Sequence, residues 1–119
     1  MILIETRFFT SRVEELLDRE TYRHLQNELL KNPVAGAVIP SCAGLRKIRA
    51  ASSFRQKGRR GGCRIIYLHV PLVHRIYFIA IYGKNEQDNL TEQDVKNLRH
   101  VVDHIHKEAD QLIERGITK

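Results

Sequence analysis

No aspartate or glutamate occurs between Glu28 and Glu86. Over the same interval stand eleven of the 20 lysines and arginines: Lys31, Arg46, Lys47, Arg49, Arg55, Lys57, Arg59, Arg60, Arg64, Arg75 and Lys84, leaving nine basic residues against 14 acidic ones elsewhere. A cationic middle between anionic ends attracts a polyanion by neutralising its phosphates and releasing counterions, which gives affinity without sequence preference. Other scarcities exclude whole classes of function. Cys42 and Cys63 are the sole cysteines and form no CxxC, so neither a zinc site nor a disulfide framework is expected. Cys63 reads as a small buried hydrophobe. His100, His104 and His106 have no cysteine or carboxylate motif around them, and neither a metal nor a cofactor is expected. The longest apolar-rich run, Ile76 to Tyr82, falls far short of the roughly 20 residues a membrane helix needs. Met1 to Glu5 lacks the charged-then-apolar layout of a secretion signal, so a cytoplasmic location is expected. No Ser-His-Asp, Cys-His or paired-carboxylate constellation is visible.

What is present fits one compact domain over residues 1–119, because 42% hydrophobic residues suffice for a core and a net charge of +6 turns its surface toward acidic partners. The β-prone start from Ile2 to Glu5, continuing to Phe8, predicts an edge or paired strand. Ser11-Arg-Val-Glu14 matches a capping box and predicts that a first helix begins there. Asp18 is placed to cap a second helix over Arg19 to Lys31, with Tyr22, Leu25 and Leu29 on one face and Asn32-Pro33 as its stop. Residues 34–43 read as a connector with a brief strand at Val38-Ile39.

Leu45 to Ala50 predicts a strand on which alternation sets Leu45, Lys47 and Arg49 on one face and Arg46, Ile48 and Ala50 on the other. The basic loop from Ala51 to Gly62 exceeds the usual hairpin length, as functional loops do. Cys63 to Val70 and His74 to Tyr82, joined by a short turn holding Pro71, are the strongest strands and belong at the centre of an antiparallel sheet. Apolar residues on both their faces predict helices over one side and a partly apolar, partly basic groove on the other. Gly83 ends the last strand. Thr91-Glu-Gln-Asp94 starts a final helix reaching about Arg115, whose seam of Val95, Leu98, Val102, Ile105, Ala109 and Leu112 packs on the sheet of its own domain.

Cations of this density suit metal-free RNA cleavage, in which a 2′-hydroxyl attacks the adjacent phosphorus, a base takes its proton, and cations hold the extra phosphoryl charge. Arginine offers a planar, permanently charged fork to phosphate oxygens, whereas a lysine crowded by other cations has a lowered pKa and exchanges a proton. Lys47 and Arg49 on one strand, Arg64 on the next and Lys84 at the end of a third converge if those strands are neighbours. Composition by itself favours plain RNA or DNA binding over catalysis.

The segments GLRKIR, GRRGGCRIIY, FIAIYGKNE and DNLTEQDVKNL resemble the RelE/HigB-like toxins of bacterial type II toxin–antitoxin systems, in particular the HigB-type branch. The resemblance spans about residues 2 to 112. It implies an α+β fold with N-terminal helices packed on a twisted, mainly antiparallel sheet and a C-terminal helix. It further implies a ribosome-dependent endoribonuclease that cuts mRNA in the decoding site, free as a monomer and neutralised by an antitoxin of helix-turn-helix type through which operator DNA is bound. By position it assigns catalysis to Lys47, Arg49, Arg64 and Lys84, and RNA or ribosome contact to Arg46, Arg55, Lys57, Arg59, Arg60, Tyr82 and Asn85. Where relatives carry a tyrosine or histidine after the last strand this sequence has neither, so the general base stays open among Lys47, Lys57, Lys84 and Glu86. Members of the same superfamily inhibit DNA gyrase without nuclease chemistry, which leaves a non-enzymatic toxin, or a ribosome-docking domain, as the alternative.

Overall fold

A computed structural model describes residues 1–50, 62–83 and 90–116. Among these residues the chain order is β1 (Ile2–Glu5), α1 (Arg7–Leu16), α2 (Arg19–Lys31), β2 (Ala37–Val38), β3 (Arg46–Ala50), β4 (Cys63–Val70), β5 (Arg75–Gly83) and α3 (Glu92–Glu114). The strands form one sheet in the order β1-β5-β4-β3-β2. β1 runs parallel to β5, and every other pairing is antiparallel.

β4 and β5 occupy the middle because both of their faces are apolar. One face of β4 carries Cys63, Ile65 and Tyr67 into a core shared with Phe9, Val13, Leu25 and Leu29 of α1 and α2. The other carries Ile66, Leu68 and Val70 into a second core with Val102, Ile105 and Ala109 of α3. Helices therefore cover both faces, which corrects the expectation of one covered face and one open groove. An aliphatic second face demands a lid of its own, and the α3 seam supplies it. Inside the first core Phe9 stacks on Phe78 with ring centroids 5.2 Å apart. Such pairs contribute roughly 0.5–1.5 kcal/mol beyond their buried area.

The second helix stands where its sequence sets it, from Arg19 to Lys31, with Asp18 accepting from the Thr21 N–H at 2.7 Å. The first does not. It starts at Arg7 rather than at Ser11, so Phe8 is helical and β1 stops at Glu5. Thr6 is the cap: its Oγ1 accepts from the Phe9 N–H at 3.3 Å and donates to the Ile79 carbonyl at 2.8 Å. Ser11, inside the helix, turns its hydroxyl back to the Phe8 carbonyl. The Thr6 contact locates the end of β1 against an irregularity in β5. There the pairing shifts by one residue, from Ile66↔Ala80 to Tyr67↔Phe78, and Ile79 is the extra residue. Ile79 and Ala80 consequently both pack toward α3, while Phe78 and Ile81 both face α1 and α2.

At the other side of the sheet, β2 is two residues long, Ala37–Val38, one position before the expected pair. The connector ahead of it is pinned by Tyr67, whose hydroxyl donates to the Pro33 carbonyl (2.8 Å) and accepts from the Gly36 N–H (2.9 Å). A Cβ at Gly36 would lie 2.9 Å from that ring and 3.0 Å from the Lys47 carbonyl, so glycine is what permits the approach. The turn Pro71–Val73 between β4 and β5 ends at His74 in the left-handed region, φ 54°. α3 begins with the capping box read from the sequence, Thr91 with Asp94, and Arg75 reaches Glu108 on it at 3.8 Å.

Candidate nucleic-acid interface

The sheet register decides which cations meet. Arg49 of β3 stands opposite Arg64 of β4, and Arg64 stands opposite Tyr82 of β5. Directly opposed residues of an antiparallel pair share a face with Cβ atoms about 4.5–5.5 Å apart. Arg49, Arg64 and Tyr82 thus form one transverse row. Lys47, opposite Ile66, follows two residues along the same face. All four lie on the side that α3 covers, since Lys47 and Arg49 share the parity of Leu45, and Arg64 that of Ile66 and Leu68.

This face is graded. Toward the start of β5 it is aliphatic and lies beneath Val102, Ile105 and Ala109, and toward the end of β5 it becomes basic. Exposure grades as well: Arg49 is exposed, Lys47 and Tyr82 are half-buried, and Arg64 is only 9% exposed. Arginine carries a planar fork of donors that matches phosphate oxygens, the group a phosphate-orienting role requires.

Arg46 goes elsewhere. It points to the α1 and α2 side, where its Nη1 donates to the carbonyls of Gly36 (2.7 Å) and Val34 (3.3 Å). Its position opposite Tyr67 makes it a brace of the connector before β2. Burial raises the Tyr67 pKa above its usual value, with the Arg46 charge opposing that rise. His69 has its pKa lowered, first by burial and then by the charges of Arg46 and His74. Lys84, Asn85, Glu86, Arg55, Lys57, Arg59 and Arg60 lie outside the described residues.

Beside the row a cavity of about 450 Å³ opens between β5, α1 and the first half of α3. Its floor is Ile66, Ile79, Ala80 and Tyr82, and its α3 wall is Leu98 and Val101. Asp94 and Asn97 add polar groups from α3, and Phe8 and Arg12 contribute from α1. Arg12 donates to the Ile81 carbonyl at 3.3 Å, closing the edge of β5 beyond the end of β1, and its guanidinium lies 5.9 Å from the centroid of the Phe8 ring. Lys47, Arg49 and Arg64 are not among the lining residues, so row and cavity adjoin through Tyr82 and Ile66. The sequence reading does not contain this cavity. Leu98 looked like part of a continuous packing seam, and nothing in the pattern of α1 announced that Phe8 would stand 53% exposed.

No known protein-family model matches the sequence. Among solved structures, the chain is similar to the E. coli toxin RelE in its free state, in a variant with two arginines replaced by alanine. The TM-score is 0.53 with 19% sequence identity, over 71% of this chain and 83% of that one. The fold is α+β and RelE-like: N-terminal helices on one face of a mainly antiparallel sheet and a C-terminal helix on the other.

Proposed function

We propose that this chain is the toxin of a type II toxin–antitoxin system of the HigB-type branch, a ribosome-dependent endoribonuclease acting on mRNA in the decoding site. The observation that carries the reading is the Arg49–Arg64–Tyr82 row with Lys47 beside it on one face of a RelE-like sheet. Four residues taken from three separate segments are adjacent there by register, on strands that carry no acidic side chain.

In the proposed reaction the RNA 2′-hydroxyl oxygen forms a bond to the adjacent phosphorus while the bond to the 5′-oxygen breaks. The 2′-hydroxyl proton passes to a base on the protein, the 5′-oxygen receives one, and the products are a 2′,3′-cyclic phosphate and a 5′-hydroxyl. Arg64 stabilises the charge gathering on the non-bridging oxygens from its buried position. Arg49 and Lys47 hold the flanking backbone, with Lys47 also able to exchange a proton, and Lys84 completes the set as the sequence resemblance implies. Tyr82 offers an aromatic face to a base. The partners are the ribosome, its mRNA, and an antitoxin of helix-turn-helix type that carries the pair to operator DNA.

The experiment is brief induction followed by mapping of mRNA 5′ ends, with Arg64→Ala and Arg64→Lys in parallel. New ends should appear with the unmodified protein. Turnover on saturated ribosomes should fall roughly 100-fold or more for Arg64→Ala, the size of loss seen when one oxyanion donor is removed. Lysine should restore little of it, because the planar fork is gone. Growth arrest without new ends would instead select the non-enzymatic toxin.

A further inference from the structure

We propose that the cavity between β5 and α3 is a nucleobase subsite that receives one splayed base of the RNA whose phosphate lies on the Arg49–Arg64 row. The inference rests on the nuclease reading and adds a base-recognition site to it. At about 450 Å³ the cavity lies within the usual range of small-ligand sites, roughly 300–1,000 Å³. Its walls are apolar, with Tyr82 on the floor, and polar groups are confined to a few positions, among them Asn97 of α3. This is the combination by which proteins hold unstacked RNA bases: a flat aromatic or aliphatic surface for the ring, and a few donors and acceptors for its edge.

Continuity with the row selects the occupant. Tyr82 is the direct cross-strand partner of Arg64, so the cavity floor begins one strand spacing, about 4.8 Å, from the residue assigned to the phosphate. A separation that short is bridged within one nucleotide. Charge agrees with this, because a polyanion drawn to Lys47, Arg49 and Arg64 delivers its bases to the apolar ground next to them. Asn97 is exposed and presents an amide, which both donates and accepts, at the cavity. Its Oδ1 accepts from Gln93 at 3.1 Å, which orients the group.

The test uses the full chain on ribosomes programmed with messages that differ in a single base beside the cut. Leu98→Phe narrows the cavity, and Asn97→Ala removes the amide from an exposed position where folding is not at stake. Both variants should change the preference among the four bases at one fixed position from the cut, by at least about 10-fold for Leu98→Phe, while the unmodified protein cleaves the whole series. Cleavage that persists in both variants with base preference unchanged overturns the subsite and leaves the nuclease reading standing. So does an equal loss at every sequence, or a loss confined to binding of the antitoxin, which would assign the cavity to a partner's apolar side chain. If the unmodified protein cuts none of the messages, the nuclease reading fails and the subsite falls with it.

Discussion

Tyr67 illustrates how much a single buried polar atom organises. Its ring is fully buried in the core beneath α1 and α2, and its hydroxyl bonds to Pro33 and Gly36 on the far side of β3. Tyr67→Phe leaves the Gly36 N–H without that acceptor in a closed space, and a loss of about 1–3 kcal/mol in unfolding free energy is expected, to be read by urea titration. Alternation along β4 made the ring's burial legible. The hydroxyl's role was not, because it depends on a connector 31 residues away in sequence. Arg64 was legible in the same partial way. Its run of cationic neighbours marked it, but only pairing revealed that its lateral neighbours are Arg49 and Tyr82.

Among the elements, the helix caps separate what local sequence decides from what it does not. Asp18 and Thr91 act as their patterns indicate. At Thr91 the box is complete: Asp94 Oδ2 accepts from the Thr91 N–H at 3.0 Å, and the Asp94 N–H donates to Thr91 Oγ1 at 3.1 Å. Thr91→Ala should cost about 1 kcal/mol, measured by thermal unfolding. It should also loosen the α3 turn bearing Asp94 and Asn97. The box read at Ser11–Glu14 was overruled because Thr6 serves two partners at once, the Phe9 N–H and the Ile79 carbonyl. A strand carbonyl from 73 residues away outweighs a local match, and no window along the chain contains that contact. α3 shows the opposite case, where a seam spaced by three and four was enough to predict both the helix and its packing on the sheet.

For the molecule as a whole, the central place of β4 and β5 followed from their being apolar on both faces, whereas the full strand order and the helical cover on the second face did not. Nor did the alignment of Arg49, Arg64 and Tyr82 in one row, since strand register is a long-range property. The charge balance has a consequence in solution. His69 titrates below its usual 6.5 in the folded state because burial and the Arg46 and His74 charges oppose its protonation. Above that value both states are neutral there, and His69 contributes no pH dependence. As pH falls through 6.5 the unfolded chain takes up the proton while the folded one resists, so stability declines until the lower folded pKa is passed. His69→Gln should therefore flatten the fall in melting temperature between pH 7.5 and 5.5.

The one-residue offset in β5 carries a last implication. Strand side chains point alternately up and down, so the supernumerary Ile79 interrupts that alternation at one point. Excising that single codon should restore strict alternation from Phe78 onward and leave the terminal Ala80–Gly83 stretch in its present phase and pairing. Tyr82 would still stand opposite Arg64 and Ile81 opposite Ile65, and what is lost is the Ile79 side chain from the α3 core and the carbonyl that Thr6 bonds. Such a deletant should keep its β-sheet circular dichroism and the Arg64–Tyr82 pairing yet melt at a lower temperature, showing that the bulge serves the packing under α3 and the Thr6 cap rather than the aim of Tyr82.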